Sequence, residues 1–302
     1  MKKLGKLGLL LLAVVLIFGL TACGEESDTN QVGDDEVIAK FDGGEITKKE
    51  FDTYMGVAYF FDPALKEYLT NTNDENRLPI FDAYLGTYIG ERYLANQIAD
   101  NNDLKEKAEN TMAVFEEGMI KEFGDTKAYN AELKANKITD DDLFEYMYRY
   151  YKAEEYLINK AYQENKEIFT VATVSHILIS FDKKTEAVAK ARALNVLEQL
   201  KAGADFAEMA FKYSDDEGSA ETGGTYEATP VAVWVPEFME AAINLPINEL
   251  SDLVATDYGY HIIKVLDRKL PELKDVTDEG RNIVFSNLYS EFMINELETI
   301  IR

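Results

Sequence analysis

Apolar and polar positions divide this chain into stretches of different texture. Leu7 to Ala22 is an uncharged, mostly apolar run of 16 residues, interrupted by Gly8 and Gly19. A transmembrane helix needs roughly 20 apolar residues. Because Lys2, Lys3 and Lys6 precede the run, residues 1–22 read as a processed secretion signal. Gly24 to Asp35 is polar and acidic without apolar periodicity, and reads as a tether. Val37 to Phe41 predicts a short strand closed by the turn Asp42-Gly43-Gly44. Thr47-Lys48-Lys49-Glu50 is a capping box, with Ile46 and Phe51 placed as its hydrophobic staple. Thr139 to Asp142 repeats the device, with Ile138 and Leu143 as the staple. Helical spacing predicts helices near 62–71, 79–101, 104–123 and 126–135, and a long one from Thr139 to about Asn165. Phe144, Tyr148, Tyr151 and Ile158 fall on one face of the last.

From Ile168 the pattern changes. Thr170 to Ile179 is rich in β-branched residues and predicts a strand. Thr185 to Leu200 predicts an amphipathic helix with Val188, Ala191, Leu194, Val196, Leu197 and Leu200 as its apolar set, stopped at Lys201-Ala202-Gly203. A short helix follows from Asp205 to Tyr213, then a turn-rich stretch from Ser214 to Gly224. Pro236 opens a helix at its first turn, and Leu245-Pro246 ends it. Leu250 to Thr256 and Tyr260 to Leu266 predict two strands joined by Asp257-Tyr258-Gly259. The order is β-α-α-α-β-β over about 100 residues, an ordinary domain size. Val276 to Ile301 predicts a final helix with Ile283, Val284, Leu288, Phe292, Met293 and Leu297 along an apolar stripe. A single helix is unstable alone, so this one must dock, most simply on the N-terminal helices.

Composition sharpens this picture at two points. The formal charge is −25, and removing the three signal lysines makes it −28. That excludes a nucleic-acid binder, which needs a basic footprint. The chain has one cysteine, Cys23, which directly follows the apolar run in Leu20-Thr21-Ala22-Cys23. This resembles the bacterial lipobox, whose cysteine is diacylated and becomes the mature N-terminus. Two acyl chains give stable anchoring, so the expectation is a lipid-anchored protein on the extracytoplasmic face of the cell membrane. With Cys23 acylated no disulfide is available, and the core alone must hold the fold.

Only two histidines occur, His176 and His261, on the first and last strands of the α/β module. No third or fourth ligand at metal-site spacing accompanies either, so no metal and no cofactor are expected. A nucleophile elbow, a phosphate loop and a dinucleotide fingerprint are all absent from the sequence.

Several separated blocks then match one family. Val174-Ser175-His176-Ile177-Leu178-Ile179 resembles the opening strand of the parvulin peptidyl-prolyl isomerases. Phe206-Ala207-Glu208-Met209-Ala210 with Tyr213-Ser214-Asp215-Asp216 is similar to their F-x-x-x-A-x-x-Y-S-x-D segment. Gly223-Gly224, Pro236-Glu237-Phe238 and Thr256 to Ile263 continue in order. The resemblance covers about residues 168–268. The flank Val37 to Phe51 is similar to the start of the chaperone domain in PrsA-type and SurA-type foldases, and the whole order of segments resembles the PrsA foldase lipoproteins. In that family the two terminal segments fold together as one chaperone domain.

The resemblance implies an α+β fold, with a parvulin-like module inserted between the N- and C-terminal segments of a mainly helical chaperone domain. The implied boundaries are 1–22 signal, 23–35 lipidated tether, 36–167 helical chaperone domain, 168–268 isomerase module and 269–302 terminal helix packing on the N-terminal domain. It also implies roles by position. His176 and His261 match the paired histidines, Asp216 the position held by Cys or Asp, Phe238 the floor of the proline pocket and Thr256 a hydroxyl in the histidine network. Trp234 falls where a Met is common, and Tyr226 where a Leu is usual. The family's G-G-D-L-G is here Gly223-Gly224-Thr225-Tyr226-Glu227, and the link to Trp234 is Ala228 to Val233.

The expected activity is catalysis of X-Pro cis/trans exchange in exported, partly folded proteins, with chaperone action by the helical domain. The link Phe181-Asp182-Lys183-Lys184 is short and mixed in charge, so no phosphate requirement is expected. A membrane contact through Cys23 is expected, no nucleic acid, and the docked helix is compatible with a homodimer. The altered segment at Tyr226 and Glu227 supports an alternative, a non-catalytic holdase. A solute-binding lipoprotein would need two α/β lobes, and the sequence holds one.

Overall fold

Thr47 starts the helical region as its sequence predicts. Its side chain accepts from the Glu50 N–H while Glu50 accepts from the Thr47 N–H, and both Ile46 and Phe51 are buried beside the cap. The structure is a computed structural model that describes residues 33–182 and 185–302. The signal, Cys23, the tether as far as residue 32, and Lys183-Lys184 lie outside the described residues.

Two compact units partition the chain. One comprises residues up to Leu157 together with Leu288–Arg302, and the other Ile158–Asn287. In the first, β1 (Val37–Phe41) pairs antiparallel with β2 (Gly44–Thr47). The sequence pattern missed β2, whose four residues run straight into the capping box. The helices α1 (Lys48–Phe61), α2 (Pro63–Asn71), α3 (Asp74–Asn96), α4 (Asn102–Phe123), α5 (Thr126–Ala135) and α6 (Asp140–Glu164) follow, the last assigned to this unit as far as Leu157. Helix α3 begins five residues before the expected start at Pro79. Asn73 caps it, accepting from the Asn76 N–H, and Pro79 sits inside. The missing Pro79 N–H would have paired with the Glu75 carbonyl. Glu75 is exposed, so water can satisfy that carbonyl instead.

The core of this unit joins Phe60, Ala108, Tyr129, Leu143 and Met147 from four helices. The C-terminal residues close on the hairpin. The Asp42 N–H donates to the Ile300 carbonyl, the Arg302 N–H donates to the Lys40 carbonyl, and Phe292 stacks on Tyr93 at 5.8 Å.

The second unit contains β3 (Val171–Ser180), α7 (Glu186–Lys201), α8 (Phe206–Tyr213), β4 (Thr225–Pro230), α9 (Pro236–Asn244), β5 (Val254–Thr256) and β6 (Gly259–Lys269). The strands form one antiparallel sheet in the order β4-β3-β6-β5. Strand β4 was not expected. Its Pro230 and its polar composition hide it, and it survives because it needs only one partner, at an edge.

Successive side chains of a strand face opposite ways, and both faces of this sheet are covered. Ile177, Ile179 and Ile262 pack under α7 and α8, and Ala172, Val174, Ile263 and Val265 pack under α9. The buried stripe of α7 is Ala189, Ala193, Val196, Leu197 and Leu200. Val188, Ala191 and Leu194, expected inside, are exposed, because the face turned to the sheet runs through Ala189 and Ala193, whose small side chains let the helix lie close. The chain ends in α10 (Asp278–Asn295) and α11 (Leu297–Ile300), where one continuous helix was expected. No helix among the described residues is long and apolar enough to cross a membrane.

Candidate active site

Alternation along the two central strands decides where the histidines go. His176 shares the parity of Ala172 and Val174 on β3, and His261 that of Ile263 and Val265 on β6. Both rings therefore face α9, which supplies the buried Phe238. The pairing of β3 with β6 sets Leu178 opposite His261 and Ile263 opposite His176, so the two rings are diagonal neighbours. They stack with centroids 5.5 Å apart, and Nδ1 faces Nδ1 at 3.3 Å.

One assignment of protons satisfies the whole row. The Thr256 hydroxyl donates to His261 Nε2 at 2.9 Å. His261 Nδ1–H then donates to His176 Nδ1, and His176 Nε2–H donates to Asp216 Oδ2 at 2.8 Å. Thr256 Oγ1 in turn accepts from the Tyr258 N–H at 3.2 Å, and the competing acceptor for its own proton, the Gly259 carbonyl, is farther away at 3.4 Å. Both histidines are almost fully buried, where an unsatisfied polar atom would be costly. The row avoids that cost.

Asp216 lies in the loop between α8 and β4. Its carboxyl is held well below the usual carboxylate range, chiefly by the bond from His176, then by Ser219 and Tyr226, against the opposing effect of burial. Burial, with the nearby His176 ring, pushes His261 down to about 4. The centre of the site therefore carries a fixed negative charge and a histidine that stays neutral at physiological pH.

Three aromatic rings border this polar row. Phe238 sits edge-on to both histidines at 5.2 Å, Trp234 packs on Phe238 at 4.9 Å, and Tyr226 meets Trp234 edge-on at 6.5 Å. All seven residues singled out in the module are thus brought to one place: His176, Asp216, Tyr226, Trp234, Phe238, Thr256 and His261. Ser219 was missed. It is 1% exposed, it donates to Asp216 Oδ2, and its Oγ is 3.1 Å from His176 Nε2. The signal was present as a hydroxyl three residues after Asp216 in a glycine-containing turn. Among the described residues no group of three or more His, Cys, Asp or Glu could hold a metal ion.

Comparison with known proteins bears on this site. The PPIC-type PPIASE domain family matches residues 156–269. The foldase protein PrsA of Geobacillus sp. (strain WCH70) is 31% identical over 257 residues, covering 85% of this chain and 79% of that protein. The foldase protein PrsA of Caldanaerobacter subterraneus subsp. tengcongensis is 27% identical over 300 residues, covering 95% of this chain and 94% of the relative. Among solved structures, a peptidylprolyl isomerase (PrsA) from Bacillus cereus aligns over 87% of each chain at 22% identity, with a TM-score of 0.42.

Proposed function

The chain belongs to the PrsA foldases, and on that premise we propose that its peptidyl-prolyl isomerase activity resides in the pocket bounded by Phe238, Trp234 and Tyr226 and served by the row Asp216–His176–His261–Thr256. The observation that carries this reading is the row itself, complete from Asp216 to Thr256 and set against an aromatic wall.

Rotation about an X-Pro amide crosses a barrier of about 18–20 kcal/mol, because resonance gives the C–N bond partial double-bond character. No covalent step is needed. The aromatic rings grip the proline ring through apolar contact. A planar amide carries more negative charge on its carbonyl oxygen than a twisted one, so the Asp216 carboxylate near that oxygen disfavours the planar form. Interactions that differ between ground and transition state are the ones that accelerate a reaction. His261, neutral at pH 7 because its pKa is about 4, adds no cation to cancel that field.

Uncatalysed X-Pro exchange takes tens to hundreds of seconds and can limit folding, which gives the activity a use among partly folded exported clients. The replacement of a leucine by Tyr226 leaves the histidine row complete, and this favours catalysis over the non-catalytic holdase. The test follows a refolding reaction limited by a trans-to-cis X-Pro step. A soluble form beginning at Gly24 should accelerate it, and His176→Ala and Phe238→Ala, each folded by circular dichroism, should lose at least about 100-fold of that acceleration. A folded wild type that suppresses client aggregation without accelerating the step would instead establish the holdase.

The same reading places the protein outside the cytoplasm, tethered to the membrane through a diacylated Cys23. Two acyl chains suffice for stable attachment. Wild type expressed in a bacterium should take up labelled palmitate and sediment with membranes, and Cys23→Ala should do neither. Equal labelling of the two would remove the anchor from the reading.

A further inference from the structure

One carboxylate oxygen, Asp216 Oδ2, receives three side-chain donors. They are His176 Nε2–H at 2.8 Å, the Ser219 hydroxyl, and the Tyr226 hydroxyl at 3.0 Å. The other oxygen accepts from the Gly218 N–H at 3.2 Å. Two of the side-chain donors belong to the polar interior, since His176 and Ser219 are both buried. Tyr226 differs from them. It lies on the edge strand β4, half-buried, with its ring 5.4 Å from His176 and edge-on to Trp234. It is therefore both a wall of the aromatic pocket and a ligand of the carboxylate. Gly218 leaves room for this arrangement, because a Cβ there would stand 3.1 Å from the Tyr226 hydroxyl.

We propose that Tyr226 is a positioning residue, whose hydroxyl ties the wall of the proline pocket to Asp216, so that the ring that grips the substrate also holds the carboxylate that acts on its amide. The proposal rests on the isomerase reading of the same pocket. A leucine at this position would supply the wall without the tie. In this chain the tie makes the orientation of Asp216 depend on β4, an edge strand held on one side only. Without it the carboxylate keeps His176, Ser219 and the Gly218 N–H but loses the one donor that links it to β4, so its setting over the substrate is held less closely. Hydrogen bonds to charged groups are the strong ones, so the loss is expected in the catalytic step. Affinity for the proline ring comes from the aromatic faces and is expected to change little.

The experiment uses the soluble chain from Gly24 and a short X-Pro peptide whose exchange is followed by NMR. In Tyr226→Phe the wall remains and the hydroxyl is gone. The expected result is a kcat about tenfold lower with KM within about twofold of wild type. The Asp216 carboxyl carbon, followed by 13C NMR, should titrate at higher pH than in wild type. Tyr226→Leu should lose kcat to a similar degree and shift the same resonance.

An unchanged kcat in Tyr226→Phe would overturn the proposal. So would a parallel fall in affinity and rate with the Asp216 titration unmoved, which would make Tyr226 a wall alone. Loss of fold in both variants would make it a structural residue, and would equally overturn the positioning role. If the wild type itself catalysed no exchange, the isomerase reading would fall, while the carboxyl titration would still report whether the tie exists.

Discussion

Gly224→Ala is expected to destabilise the isomerase module by about 2–5 kcal/mol and to abolish its catalysis. Gly224 has φ +75, in the left-handed region that costs a residue with a Cβ about 1–2 kcal/mol. Space adds a second penalty. A Cβ at this position would lie 2.2 Å from the His176 carbonyl oxygen, and main-chain atoms cannot swing aside as a side chain can. The same glycine accepts the His176 N–H at 2.8 Å and donates its own N–H to the Ser219 carbonyl at 2.8 Å. Any shift that relieved the clash would pull the strand carrying His176 away from the turn carrying Ser219. Stability and geometry of the site are lost together.

Gly203 provides the control. It too has a positive φ, +97, but nothing lies within 4 Å of its added Cβ. Gly203→Ala should cost only the backbone penalty, about 1–2 kcal/mol, and leave the site intact. Trp234, the only tryptophan in the chain, packs on Phe238 beside the histidine row and reports unfolding of the module directly. Urea titrations of both variants followed by its fluorescence would decide the matter. Equal midpoints for the two would refute the close-approach argument.

What the sequence made legible was whatever depends on local pattern. Capping boxes at Thr47 and Thr139, the start of α9 at Pro236 and the stop at Gly203 are each written in a few adjacent residues, and each stands where it was read. Strands buried on both faces, β3 and β6, were visible as β-branched runs. Among the edge elements, β1 and β5 were read and β2 and β4 were not. Strand β4 looks like a polar loop, because a strand with one free edge and little burial needs no apolar alternation. The short β2 was absorbed into the helix cap that follows it.

The site shows the same division. The histidines, Asp216 and Phe238 could be placed by their spacing within a family motif. That the two histidines share one face follows from strand parity, which the sequence also contains. In the sequence Ser219 is marked only as a hydroxyl near Asp216, and neither its contact nor that of the Tyr226 hydroxyl could be placed. Their contribution is a direction in space, toward one oxygen of Asp216, and it depends on how the loop between α8 and β4 folds back over β3. Likewise the inward set of α7 was read correctly at Val196, Leu197 and Leu200 but misread in the turns before them. Apolarity alone ranks Val188 and Leu194 above Ala189 and Ala193, whereas close packing on a sheet favours the smaller residues.

Arg149→Met is expected to have a comparable effect on the helical unit, for an electrostatic reason. Arg149 Nε donates to Glu91 Oε2 at 3.0 Å, and each side chain is only 15% exposed. The guanidinium also lies 4.9 Å from the ring centre of Tyr88, 5.5 Å from that of Tyr146 and 5.7 Å from that of Tyr54, and the Tyr54 hydroxyl donates to Glu91 Oε1. A buried pair of this kind adds little over apolar residues of the same size, but removing one partner strands the other charge. Burial already holds the Glu91 carboxyl above its ordinary range, with Arg149 pulling it back down. Without Arg149 that pull is gone, and the loss at pH 7 should be about 3–5 kcal/mol.

The sign of the pH dependence follows. A carboxyl whose folded pKa is raised binds a proton more readily folded than unfolded. Its penalty is absent below the unfolded value of about 4.3 and grows as pH rises through the folded one. Arg149→Met should therefore recover much of its deficit between pH 7 and pH 4.5, and Glu91→Gln in the same chain should restore stability at pH 7. Trp234 belongs to the other unit, so far-UV circular dichroism in urea is the measurement. A deficit that did not change with pH, or that the second substitution failed to relieve, would mean that Arg149 acts through its packing against the tyrosines and that its charge is incidental.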